Sequence, residues 1–233
     1  MFLCIWSPKG GSGTSVVAAA ASVLLSRHGP TRLADLGGDH PALLGLASDP
    51  PTGLADWLVA GPEAPPDALE RLSVDVAPDL TLVPRGAAPL DAVAPDACAA
   101  LATRLRGDDR TTVADVALGP FTSPALAAVV EGADASVVVV RGCYLALRRA
   151  VRVPAVANAS GVVVVDEPGR ALGAREVADV LGLPVLATVP VRAAIARVVD
   201  AGVLPTRVPD ALARPLERVL QRLGIPGREG RVA

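Results

Sequence analysis

The stretch Phe2-Leu3-Cys4-Ile5-Trp6-Ser7-Pro8-Lys9-Gly10-Gly11-Ser12-Gly13-Thr14-Ser15 runs without a break into Val16-Val17-Ala18-Ala19-Ala20. Six mostly apolar residues lead into a turn with three glycines, and an Ala/Val-rich helical stretch starts at once. A turn of this kind aims successive backbone N–H groups, and the positive end of the helix dipole, into a concavity the size of a phosphate. Glycine belongs there because side chains would block the approach. A tight strand-to-helix turn alone would also use glycines, but Lys-Gly-Gly-x-Gly-x-Ser in this context points to a phosphate loop.

Outward from the loop, short β-branched runs alternate with longer Ala/Leu/Arg stretches of helical spacing, the signature of βαβ units. Strands are expected at Phe2 to Ser7, Thr31 to Asp35, Leu80 to Pro84, Thr111 to Val116, Ala135 to Arg141, Gly161 to Val165 and Val185 to Val189. Helices are expected at Thr14 to His28, Asp96 to Arg106, Ser123 to Glu131, Leu145 to Val153, Ala174 to Leu181, Arg192 to Ala201 and near Pro215 to Leu223. The strands are nearly continuous in Val, Ile and Leu, so they belong at the centre of a sheet buried on both faces. The fold class is therefore α/β, a doubly wound, mostly parallel sheet with helices on both faces. Residues 1–223 read as one domain, and 224–233 as a frayed tail.

Composition narrows the function. Lys plus Arg number 22 against 24 Asp plus Glu, so a dedicated nucleic-acid binder is not expected. No apolar run reaches the roughly 20 residues of a spanning helix, and the N-terminus lacks the order of a signal peptide. A cytoplasmic location is expected. Cys4, Cys98 and Cys143 are too few and scattered for a disulfide framework. Every position carrying Lys or Arg is Arg except Lys9, which singles out the loop lysine. His28 and His40 have no carboxylate or cysteine beside them at metal-ligand spacing. Asp108-Asp109-Arg110 reads as a solvated turn, and Arg148, Arg149 and Arg152 as a small basic face.

The loop resembles the deviant Walker A motif, K-G-G-x-G-K-[ST], of the ParA/MinD family of P-loop ATPases, whose fold is the three-layer αβα P-loop NTPase fold. The resemblance makes Lys9 the signature lysine that reaches a dimer partner's phosphates. It makes Gly10, Gly11, Ser12, Gly13, Thr14 and Ser15 the nucleotide-binding loop, with Ser15 a ligand of Mg²⁺. Thr14 stands where the family has its second lysine, and a hydroxyl brings no charge to the phosphates. Asp35-Leu36-Gly37-Gly38-Asp39 resembles the D-x-D of switch I, with Asp35 in the first place and Gly37 in the second. Asp39, two residues on, is the candidate to replace that second, catalytic carboxylate. Asp115-Val116-Ala117-Leu118-Gly119 resembles the Walker B strand and switch II, with Asp115 holding the metal's water and Gly119 turning the loop to the γ-phosphate. Asp166-Glu167 stands where many relatives carry an asparagine that reads adenine.

Within that family, the missing loop lysine, Gly53-Leu54-Ala55-Asp56-Trp57-Leu58 and Leu82-Val83-Pro84-Arg85-Gly86 look most like pilus-assembly TadZ/CpaE proteins and septum-site-determining-like proteins. The resemblance implies a degenerate localisation factor that positions a pilus, secretion or division apparatus. It would bind ATP or ADP with Mg²⁺, form a homodimer across the loop face, and hydrolyse ATP little or not at all, an impaired ATP hydrolase. Two other readings stand beside it: a slow ATPase in which Lys9 serves both lysine roles, and a scaffold that binds no nucleotide. Arg214, Arg218 and Arg222 lie at i, i+4 spacing on the last helix, where MinD relatives bind membrane. A peripheral contact with the inner face of the cell membrane is thus a further expectation, against a helix that simply packs its leucines on the sheet.

Overall fold

The computed structural model describes residues 1–65, 67–91, 93–118 and 123–225. Eight strands, β1 (Phe2–Ser7), β2 (Thr31–Asp35), β3 (Val74–Ala77), β4 (Leu80–Val83), β5 (Thr111–Ala117), β6 (Ala135–Arg141), β7 (Gly161–Asp166) and β8 (Val185–Pro190), form one sheet in the order β3-β4-β2-β5-β1-β6-β7-β8. Every neighbouring pair is parallel except β3 and β4. The helices are α1 (Thr14–Ser26), α2 (His40–Leu43), α3 (Leu54–Ala60), α4 (Ala68–Leu72), α5 (Pro95–Arg106), α6 (Ala127–Glu131), α7 (Tyr144–Ala150), α8 (Ala174–Leu181), α9 (Ala193–Asp200) and α10 (Asp210–Arg222).

Side chains alternate across each strand, so β1 feeds two cores. Phe2, Cys4 and Trp6 pack with Leu54, Trp57, Leu101 and Val129 on one face. Leu3 and Ile5 pack with Val17, Leu24, Leu212 and Leu216 on the other. Because both faces of the sheet are covered, its strands carry apolar residues at consecutive positions.

Five elements depart from the sequence reading. β3 is an antiparallel edge strand joined to β4 through Pro78-Asp79, with Asp79 at φ 57°. Half-exposed and interrupted by Asp75, it lacks the apolar run that marks the central strands. Three short helices, α2, α3 and α4, fill the segment between β2 and β3. The last helix begins at Asp210 and passes through Pro215. Proline removes one helical hydrogen bond, but Leu212, Pro215, Leu216, Val219 and Leu220 are all buried, and that packing sustains the helix.

The same burial bears on the membrane expectation. The leucines that would enter a bilayer already cover β8 and α1 in the second core. Arg222 donates from Nη1 to the carbonyls of Val185 (2.8 Å) and Leu186 (2.9 Å), satisfying an edge of the sheet, while Arg214 pairs with Asp210 at 3.0 Å. No described helix is long and apolar enough to cross a membrane. Ile225, within the expected tail, is buried, and residues 226–233 lie outside the described residues.

Asp108 is likewise not part of a solvated turn. It bonds the guanidinium of Arg32, a fully buried residue of β2, and pairs with Arg110 at 2.9 Å, while Glu70 joins both arginines. An arginine in the sheet cannot leave its charge bare, so the turn and α4 close over it.

Candidate functional site

The glycine loop leaves the carboxyl end of β1, which lies between β5 and β6, the point where successive connections depart to opposite sides of the sheet. Ligands of open α/β sheets bind in the crevice at that point. Gly11 (φ 74°) and Gly13 (φ 89°) adopt backbone angles that favour glycine. Gly10 does not, and a Cβ built on Gly10 or Gly11 would meet nothing within 4 Å. Neither packing nor backbone angle therefore requires glycine at position 10, and a side chain there would extend into open space. The loop is braced from behind: Ser7 Oγ and Ser12 Oγ both donate to the Lys9 carbonyl, at 2.8 and 2.7 Å. Among the described residues, the N–H groups of Gly10, Gly11, Gly13, Thr14 and Ser15 have no protein acceptor. Lys9 Nζ donates to the Gly10 carbonyl at 3.1 Å, folded over the loop.

Beside the loop, two carboxylates face each other across neighbouring strands. Asp35 ends β2, and its register partner on β5 is Asp115. Both are buried, and two such charges require compensation. His40 supplies it: its Nε2 lies 3.0 Å from Asp115 Oδ2, and the ring is completely buried. Asp35 accepts from the backbone N–H groups of Gly37 (2.9 Å), Gly38 (2.6 Å) and His40 (3.3 Å), which curls the loop so that the imidazole turns inward. Burial pushes the Asp35 carboxyl up, against the His40 charge and the Gly38 N–H, and Asp115 adds to the rise, so it sits above the ordinary range. Burial pulls His40 down, but the hydrogen bond to Asp115 and the charges of Asp35, Asp115 and Asp39 outweigh it and hold the imidazole above its ordinary value.

His40 thus corrects the sequence reading, which gave it no partner. Its partners are five and 75 residues away, and only the register of β2 against β5 brings them together. The same cluster explains Gly37. A Cβ there would stand 3.0 Å from Asp115 Oδ2 and 3.6 Å from Asp35 Oδ1, so a side chain at this position would press on the Asp115 carboxylate. Asp39 instead reaches the loop, where Ser15 Oγ donates to its Oδ2 at 3.2 Å. Lys9 through Ser15 therefore form one cradle with Asp35, Asp39 and Asp115 beside it, while Gly119 lies outside the described residues.

A hydrated Mg²⁺ held through Asp115 does not fit these residues. Mg²⁺ keeps most of its water and needs open carboxylate oxygens, whereas Asp115 is nearly inaccessible, with one oxygen bonded to a buried imidazole. Glu167, near the place of the adenine reader, pairs with Arg170 at 2.7 Å and Arg141 at 3.8 Å.

The stretches 53–58 and 82–86 meet in space. Leu54 N and Ala55 N donate to the carbonyls of Pro84 (2.8 Å) and Arg85 (2.9 Å), and a Cβ at Gly53 would collide with the Pro84 carbonyl. This brace fixes α3 to the end of β4 and sets the Arg85 side chain against Gly38 of the switch-like loop.

The architecture is the α/β fold of the ParA and MinD ATPases. A ParA family ATPase from Chlorobium tepidum superposes with TM-score 0.73 at 18% identity, over 94% of this chain and 97% of that one. The septum site-determining protein MinD of Pyrococcus horikoshii, solved with Mg-ADP, gives 0.74 at 20%, over 94% and 93%. A MinC:MinD cell division protein complex of Aquifex aeolicus gives 0.73 at 17%, over 99% and 98%. No protein-family model matches the chain, and no curated protein does. At these identities the likeness is one of fold.

Proposed function

We propose that this chain is a nucleotide-binding localisation factor of the ParA/MinD kind, binding ATP or ADP at the Lys9–Ser15 loop and hydrolysing ATP little or not at all. The observation that carries the reading is the cradle: open at Gly10 and Gly11, lined by unengaged N–H groups, and set at the head of a 13-residue helix. Low turnover follows from chemistry, since Thr14 brings no charge to the phosphates and Gly37 no carboxylate to the attacking water. The resemblance adds a homodimer across the loop face, with Lys9 as the residue that crosses it, and a protein partner in a pilus, secretion or division apparatus. The TadZ/CpaE or septum-site assignment belongs to this proposal, as does a cytoplasmic location.

The test combines phosphate release with solution mass, with and without ATP or ADP, for wild type and Lys9→Ala. The expected result is a dimer that needs nucleotide and Lys9, with phosphate release near background. Sustained, Lys9-dependent release would instead establish the slow ATPase. An unchanged mass and no nucleotide effect would establish the scaffold.

A further inference from the structure

We infer that His40 holds the place at Asp115 that a hydrated divalent cation would take, so that nucleotide phosphates bind this chain without Mg²⁺. The inference rests on the nucleotide reading above and adds to it the ionic requirement of the site.

Asp35 and Asp115 are buried carboxylates in register on adjacent parallel strands, an arrangement that calls for a cation or a hydrogen-bond donor between them. The donor is built in. His40 opens α2, directly after the loop that Asp35 curls, and Leu43 and Leu44 anchor that short helix in the core beneath α1. The imidazole is therefore fixed by packing, with Nε2 on Asp115 at 3.0 Å and no solvent access. Gly37 completes the enclosure, because any side chain there would press on the same Asp115 oxygen.

A metal held by the three residues themselves is the competing occupant, since Asp35, His40 and Asp115 each place a ligand atom within 4.8 Å of the others. Two features disfavour it. The carboxylate of Asp35 already accepts three backbone N–H groups. His40 Nδ1 is buried with no partner, whereas a ligating histidine almost always donates its second nitrogen to an outer group.

The experiment measures ATP binding by calorimetry in Mg²⁺ and in EDTA, and Mn²⁺ uptake by nucleotide-free protein from the EPR signal of free Mn²⁺. Wild type and His40→Ala are compared. His40→Asn, shorter but still polar, is read in place of the alanine variant if that one does not fold. Wild type is expected to bind ATP within about twofold in the two media and to take up no Mn²⁺, whereas the variant takes up Mn²⁺ and binds ATP at least about tenfold more tightly with Mg²⁺. A wild-type affinity that drops about tenfold or more in EDTA overturns the inference. So does Mn²⁺ uptake by wild type, the result that a metal held by Asp35, His40 and Asp115 would give. If neither protein binds ATP, the nucleotide reading fails and Mn²⁺ alone decides the occupancy of Asp115: uptake by the variant only sustains it, and equal behaviour overturns it.

Discussion

Thr14 and Gly37 are the two positions where the resemblance leads one to expect a charged side chain, and they differ in what they would tolerate. Thr14 is half-exposed at the first turn of α1, so a longer side chain has room. Thr14→Lys is expected to raise ATP affinity about tenfold by calorimetry, since a charge-assisted contact to phosphate is among the stronger hydrogen bonds, and to leave phosphate release near background. Gly37 has no such room. Gly37→Asp adds a third carboxylate against Asp35 and Asp115 and is expected to destabilise the fold by about 2 kcal/mol in denaturant titration, within the usual range for overpacking. An unchanged midpoint would contradict the crowding at Asp115. Of this site, the glycine loop and the two strand aspartates, Asp35 and Asp115, were legible because each is a local pattern. His40 was not, because its environment is created by strand register rather than by spacing along the chain.

The strands were legible for a physical reason that also explains the exceptions. A strand covered on both faces is apolar at nearly every position, as in Val137-Val138-Val139-Val140 of β6. β3, at the edge and half-exposed, carries no such run. Arg32 within β2 breaks the rule from inside the sheet, and its partners come from α4 and the turn before β5. Asp108→Asn leaves the buried guanidinium with Glu70 alone among its carboxylates and is expected to cost about 3 kcal/mol in chemical denaturation, as for one partner of a buried pair. The pairing also sets an acid limit. Burial raises Asp108, but the Arg110 hydrogen bonds and the Arg32 and Arg110 charges more than reverse that, and Arg110 chiefly lowers Glu70, with help from Arg32. A carboxyl held low in the fold stabilises it above the unfolded carboxyl range and loses that contribution on protonation. Stability should therefore fall as pH drops below about 4, and less steeply in Asp108→Asn. A midpoint flat between pH 5 and pH 3, taken as round values about the carboxyl range, would contradict the network.

The two cores share every strand of the sheet except the edge strand β3, so the chain is expected to unfold as one unit. Leu216, on the buried face of α10, tests this. Leu216→Ala is expected to cost about 2–5 kcal/mol and to lower a single thermal transition, at about 2–4 °C per kcal/mol, rather than split it. Two separate transitions would show that the α10 face melts on its own. The same sheet sets the cradle at its topological switch point, and on that cradle the functional reading depends. Gly10 offers the most direct probe, because its backbone angle is ordinary and a side chain there would enter only open space. ATP titration of wild type and Gly10→Val, with thermal unfolding of both, is therefore the decisive measurement. Binding by wild type that is lost in Gly10→Val at an unchanged melting temperature is the predicted result. Equal ATP binding by the two proteins, or none by the wild type, would contradict it.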